Sequence, residues 1–377
     1  MKAIFDVVVI GGGVIGMAFA HRARKLGFSV AVIEREKKAN GGSIRNFGMI
    51  WPIGQPVGKL RDRAMRSREV WLNLAREAGI WINKCGSMHV AHEQDEKIVL
   101  EEFRSISAAS GFQYRWLDQQ EALVKCKSLR SDMLIGALFS QDECVVDPPQ
   151  AIYALKSYLI QNDIVFCSGL PAIRAKNGTV ELSDGTIMAT SRTIIASGTD
   201  LFTLYPNELA ELKIQVTKLQ MFRTKPQPSH YSFGPHLAFG LTLPHYSGFA
   251  ECPSLPKLKE RLRNDFPDHF KLGIHVMASM NQRRELVLGD SHVYGDDITP
   301  FDSTQIEKMI MDYLRIRLHL EEDSLDARWN GMYAKHSGHD LICKEISKDV
   351  WTALAPGGCG MTMCHGWAED IWREWST

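Results

Sequence analysis

The chain carries Gly11-Gly12-Gly13-Val14-Ile15-Gly16 between a β-branched run at 6–10 (DVVVI) and an apolar-periodic stretch that stops at Gly27. This GxGxxG spacing suits the capture of a diphosphate. Gly11 permits the tight turn, Gly13 lets the backbone approach a pyrophosphate, and Gly16 lets helix and strand pack closely. Val14 and Ile15 open the helix, whose amino terminus points partial positive charge at the phosphates. A second strand over 29–33 ends at Glu34, an acceptor for a ribose hydroxyl, with Arg35 beside it. The complete βαβ unit with its terminal acid predicts a bound dinucleotide. An acid at 34 disfavours NADP and leaves FAD and NAD both open.

A second set of residues favours a flavin. Ser43, Arg45, Asn46, Phe47 and Gly48 lie within GSIRNFG at 42–48, where small and hydrogen-bonding side chains suit a flat aromatic ring. Further on, the strand TIIASG at 193–198 carries Ser197 and Gly198, and APGGCGMT at 355–362 carries Gly357, Gly358 and Gly360. That last cluster precedes an amphipathic helical stretch. The free amides of Met361 and Thr362 at its start would stabilise negative charge on a reduced ring.

With these motifs in this order the chain resembles the D-amino-acid oxidase superfamily of FAD enzymes, to which glycine oxidase and sarcosine oxidase belong. The resemblance implies that the segment from Ser43 to Gly48 passes the flavin, that Ala172 contacts the adenine side, and that Ser197 and Gly198 close the cradle. The last glycines then approach the pyrimidine edge. Sarcosine-oxidase relatives attach the flavin through a cysteine near the carboxy terminus, which brings Cys343, Cys359 and Cys364 into view. The linking motif is absent, so FAD is expected to be noncovalent. The implied reaction is oxidation of the C–N bond of a small amine or amino acid to an imine, hydrolysed to an aldehyde or oxo acid, with oxygen reduced to hydrogen peroxide. Three alternatives stand beside it: a dehydrogenase using another electron acceptor, a non-catalytic dinucleotide-binding protein, and an NAD-dependent dehydrogenase.

Such chemistry needs a neutral amine, so a dry pocket or a nearby cation would speed it. His245, Lys335 and His336 are candidates. In the amino-acid oxidases of this family a pocket arginine pairs with the substrate carboxylate; the corresponding stretch here is WNGMYA at 329–334, which puts Tyr333 where the arginine stands. A planar carboxylate then lacks its bidentate partner. Anion binding is open to Leu243-Pro244-His245-Tyr246, Arg223, Arg283, Arg284 or Lys335. The catalytic set is accordingly Tyr246, Tyr333, His245, Arg223 and Lys335. RNFGMIWPIGQP, GLTLPHYSGFAECPSL, RWNGMYAK and GGCGMT together resemble a subgroup associated with organophosphonate breakdown, which implies an aminoalkylphosphonate or its N-methyl derivative. His89 with His92, and His336 with His339, are spaced like metal ligands, but no carboxylate or thiolate completes either set, so no metal is expected.

These residues need two scaffolds. The reading is an α/β chain with a Rossmann-like FAD-binding domain (1–85, 147–213 and 329–377) and a second α+β substrate domain on a mostly antiparallel sheet (86–146 and 214–328). A helix over 56–81 follows the flavin loop. Its Lys59, Arg61, Arg63, Arg66 and Arg68 are expected on a solvated face, because no aromatics interleave them as a base-stacking platform would require. The 377 residues are 45% hydrophobic and 23% charged, which excludes disorder. Lys plus Arg and Asp plus Glu each total 44, so no global field draws nucleic acid or an anionic membrane. The apolar run at 7–20 is broken by glycines and preceded by Asp6, which reads as mature structure rather than a span or signal. The cysteines form no CxxC pair, and a reducing cytoplasm is expected.

Overall fold

A computed structural model describes residues 3–295 and 298–376. Strand β1, Ala3–Ile10, pairs in parallel with β2, Val30–Glu34, and helix α1, Val14–Lys25, makes the crossover. Val7, Val8, Val9 and Ile10 are all buried, as a strand covered on both faces requires. The expected strand at 193–198 is the end of Ile187–Ile195, parallel to β1 on its other side. Val165–Ser168 extends the sheet beyond β2, and Val350–Thr352 extends it beyond Ile187–Ile195. The turn at Asp184-Gly185 closes the hairpin of Thr179–Leu182 with Ile187–Ile195, Gly185 taking φ +84°.

Gly16 sets the distance between α1 and β1. A Cβ built there would lie 1.9 Å from the Gly11 carbonyl oxygen, so only glycine lets the helix sit this close. The last helix, Gly360–Glu374, packs against α1 and against α2, Lys59–Ala78. Indole N–H groups fasten it at both ends: Trp372 donates to the Phe19 carbonyl at 3.2 Å, and Trp71 donates to the Met361 carbonyl at 2.8 Å.

A nine-stranded sheet, mostly antiparallel, forms the second unit among the described residues. Its backbone is the pairing of Gln215–Thr224 with Leu325–Lys335, in which Thr217 faces Tyr333 and Met221 faces Trp329. The boundary expected at 329 therefore falls inside a strand that stays with this sheet to Lys335. The run HLAFGLTL at 236–243 is apolar throughout but strand only over His236–Ala238. Gly240–Thr242 then forms a 3-10 turn. That turn carries His245 and Tyr246 off the sheet and toward the cleft between the units. A three-stranded sheet of Met49–Ile50, Cys144–Val146 and Ile82–Asn83 joins the units.

Of the basic residues on α2, Lys59 is exposed as expected, but the arginines are not freely solvated. Arg61 is fully buried, its guanidinium 5.0 Å from the Phe103 ring centroid and 5.1 Å from that of Phe112. It donates to the carbonyls of Gln55 and Ile53, to Ser107 and to Tyr114. Arg63 and Arg66 are half-buried and share Asp370 of the last helix at 2.7 and 2.6 Å. A buried cation survives here because every donor has an acceptor and the flanking rings offer their negative faces. Arg61→Met leaves those carbonyls unpaired and is expected to cost roughly 2–4 kcal/mol. Denaturant unfolding measures it; a variant of wild-type stability would show that the cluster contributes nothing.

Candidate active site

The cleft runs from the end of β2 to the start of the last helix. Gly11, Gly13, Val14, Ile15, Glu34, Arg35, Ser43, Arg45, Asn46 and Ala172 line it, with Ser197, Gly198, Gly357, Gly358, Gly360 and Met361. The geometry at its head follows from the glycines. Gly11 takes φ +116°, and a Cβ there would come within 2.2 Å of the Ala196 carbonyl oxygen. Helix α1 has no side-chain cap of its own and no acid in its first turn, so its positive end stays open to an anion. Ser43 Oγ accepts from Val14 N–H at 2.9 Å, tying the 42–48 loop to this terminus. Glu34 Oε2 accepts from Gly12 N–H at 2.8 Å and Oε1 from Glu36 N–H at 2.9 Å, which fixes the carboxylate at the rim. Arg35 pairs with Asp200 at 2.9 Å.

Four residues of the expected cofactor set stand behind the cleft wall. Gly16 is the helix–strand contact. Phe47 packs in the core of the substrate unit, and Gly48 (φ +74°) would press a Cβ to 2.0 Å from the Val146 carbonyl oxygen. Thr362 Oγ1 accepts from Trp51 N–H at 2.9 Å. Leu219 and Met332 line the cleft without having been expected; their apolar side chains look like ordinary strand residues until the two strands pair.

Beyond Gly358 lies a chamber of aromatic and imidazole side chains. The Tyr333 hydroxyl would lie 3.9 Å from a Cβ on Gly358, which puts this ring at the mouth of the last helix. The Tyr333 ring lies 6.0 Å from His292, which stands 4.6 Å from His245, the chain neighbour of Tyr246, and Trp51 lies 6.2 Å from the Tyr246 ring. Burial raises both phenols well above their usual range and keeps them protonated. His245 stacks on His275 at 3.7 Å between ring centroids, and His292 lies 4.6 and 4.7 Å from the two. Desolvation lowers all three imidazoles, His275 well below the usual range and His292 to about 4, so the two buried rings are neutral bases. His245 is the solvent-exposed member of the three.

The arginines expected as anion partners are engaged elsewhere. Arg223 lies roughly 20 Å along its strand from Thr217, at ~3.4 Å per residue. It pairs with Asp326 at 2.9 Å and Glu285 at 3.4 Å. Arg283 pairs with Glu285 at 3.1 Å, and Arg284 donates to the carbonyls of Gln227, Pro228 and Tyr231. Lys335 has no carboxylate partner among the described residues and stands 5.4 Å from the Tyr294 ring. His89 and His92 are buried in the second unit, and the His336 and His339 rings lie 4.8 Å apart in the turn that follows Leu325–Lys335.

A glycine cradle, a helix terminus cleared of acids and a fixed carboxylate at the rim describe a dinucleotide site. A family model described as FAD dependent oxidoreductase (DAO) matches residues 6–372. The chain belongs to this family. Glycerol 3-phosphate dehydrogenase of Caloramator mitchellensis is 27% identical over 168 residues, 43% of this chain and 34% of that relative. The chain thus spans about a third of that relative's length. Glycine oxidase from Geobacillus kaustophilus shares the fold at TM-score 0.77 and 17% identity, over 99% of this chain and 95% of that one. L-alpha-glycerophosphate oxidase from Mycoplasma pneumoniae, solved with FAD bound, does so at 0.77 and 18%, over 100% and 96%.

The residues lining the cleft fit FAD: Gly11 and Gly13 with the α1 amides would hold the diphosphate, Glu34 the ribose, and Ser43 to Asn46 with Gly357 to Met361 the ring. Bound FAD supplies a ring that takes a hydride from a donor carbon. The last helix has no acid in its first turn, so its amino end offers positive charge there. Cys359 is held by a 3.2 Å hydrogen bond from Gln55 Nε2, and burial raises its thiol above the usual range. A neutral thiol is a poor nucleophile. Acid precipitation is therefore expected to release all flavin into the supernatant; colour in the washed pellet would establish a covalent link. Glu34→Ala is expected to weaken FAD binding roughly tenfold to hundredfold, the loss of hydrogen bonds to a charged group. Titrating apoprotein with FAD and following flavin fluorescence tests this, and an unchanged affinity would remove Glu34 from the site.

Proposed function

We propose that the chain oxidises the C–N bond of a small amine bearing a compact anionic head, an aminoalkylphosphonate or its N-methyl derivative. The product is an imine, which water hydrolyses to an aldehyde or oxo acid. Oxygen takes the two electrons and becomes hydrogen peroxide. One observation carries the reading: the chamber beside Gly357 to Gly360 is built of phenols, indoles and imidazoles, while Arg223, Arg283 and Arg284 are all consumed by other partners. A planar carboxylate is best held by a guanidinium fork. A tetrahedral head needs donors arranged around it, which Lys335, Tyr333, Tyr246 and His245 supply.

In this reading the neutral phenols of Tyr333 and Tyr246 donate hydrogen bonds to the substrate, and Lys335 supplies positive charge. Water is kept from the reacting carbon by Trp51, 6.2 Å from the Tyr246 ring. The amine loses its ammonium proton before its carbon is oxidised, and a dry aromatic wall favours the neutral amine.

Anaerobic mixing with small amines carrying phosphonate, carboxylate or no acid group tests the substrate. Bleaching of the flavin is expected fastest with the aminoalkylphosphonate, and under air about one peroxide forms per amine consumed. Failure of every amine to bleach the flavin would overturn the reading; bleaching with near-zero peroxide would assign a different electron acceptor. Tyr333→Phe is expected to lower kcat/KM by roughly tenfold to hundredfold, the loss of one hydrogen bond to a charged group. Lys335→Met is expected to act mainly on KM.

A further inference from the structure

His245, His275 and His292 come from three separate loops and strand ends, yet each offers a ring nitrogen within 4.8 Å of the others. The His275 and His292 side chains are each only 4% exposed, and Asp290 behind them 6%. Both nitrogens of His275 and Oδ1 of Asp290 are buried with no hydrogen-bond partner, although Asp290 Oδ1 is only 3.1 Å from His275 Nε2. The pair is close without being aligned as donor and acceptor. Asp290 Oδ2 also stands 3.9 Å from His292 Nε2.

Unpartnered polar atoms at this depth are costly, and the two His275 nitrogens, His292 Nδ1 and Asp290 Oδ1 would all gain from a shared partner. A cation accounts for them better than an anion, because a carboxylate is part of the cluster and the rings offer lone pairs. We infer that His245, His275 and His292 bind a divalent transition-metal ion of the Zn²⁺ class, with Asp290 orienting the two deeper rings from behind. Three imidazoles are a familiar donor set for Zn²⁺, leaving a fourth position open. A carboxylate behind a ligating imidazole fixes its tautomer and orientation. A tetrahedral ion at about 2.1 Å from each nitrogen sets ligand separations of about 3.4 Å, so the nitrogens close by about 1.4 Å at most. His245, the solvent-reached member, turns the open position toward the chamber. The ion would there meet the anionic head of the substrate, supplying the positive charge the engaged arginines do not; this role, unlike the site itself, rests on the proposed function.

The test uses FAD-loaded protein. Elemental analysis after gel filtration, Zn²⁺ competition against a chromophoric chelator, and Co²⁺ substitution read occupancy directly. Expected are about one ion per chain and a Co²⁺ ligand-field band to the red of the flavin absorption. Both are lost in His275→Ala and His292→Ala, while Asp290→Asn binds Zn²⁺ roughly tenfold to hundredfold more weakly. Should the buried variants fail to hold FAD, His245→Asn, at the open edge, is expected to show the same loss of metal. Wild-type FAD-loaded protein that binds neither ion, variants that bind as wild type, or metal-free protein whose histidines instead bind inorganic phosphate would each overturn the inference. Metal bound without bleaching by any amine would sink the proposed function alone; bleaching by an aminoalkylphosphonate in protein that binds no metal would sink this inference alone.

Discussion

The nucleotide unit depends on a contact that contains no side chain, the α-carbon of Gly16 against the carbonyl of Gly11. With the helix seated that close, its first turn meets the strand end, and Glu34, Ser43 and Ala196 all fall within reach of the same glycine loop. The last helix is then fastened to α1 and α2 through Trp372 and Trp71, so its amino terminus opens onto the same cleft. Two helix termini of like polarity facing one cavity is an electrostatic cost unless something anionic lies between them, and a dinucleotide with a reducible ring supplies negative charge at both ends.

The substrate side is organised by depletion. Arginine is the default partner for a small carboxylate, yet each one expected to serve has been taken up by carboxylates or carbonyls of its own unit. What remains around the chamber is a set of groups that burial keeps uncharged: phenols pushed up and imidazoles pushed down. Such a chamber favours a neutral amine at the reacting end. Under the proposed function, an anionic end falls to Lys335 and to the histidine cluster.

Local sequence carried much of the fold. The β-branched run, the GxGxxG turn, the Gly27 stop and Glu34 are all within one βαβ unit, where propensity and periodicity act over a few residues. The basic face of α2 was misread because a charge pattern looks the same in water as under three aromatic rings; only the packing of Phe103, Phe112 and Tyr114 shows that Arg61 is buried. The run at 236–243 reads as strand by composition, but Gly240–Thr242 turns it away from the sheet.

The sequence by itself determined that a diphosphate-binding βαβ unit opens the chain, because the residues that make that turn are contiguous and glycine alone satisfies its geometry. Tertiary structure decided which charged groups remain available and which histidines meet. His245, His275 and His292 are far apart along the chain and share no motif. Their meeting depends on the 3-10 turn after Ala238 and on the register that pairs Met277 with Gly289, long-range choices made by burial of a whole sheet rather than by any neighbouring residue.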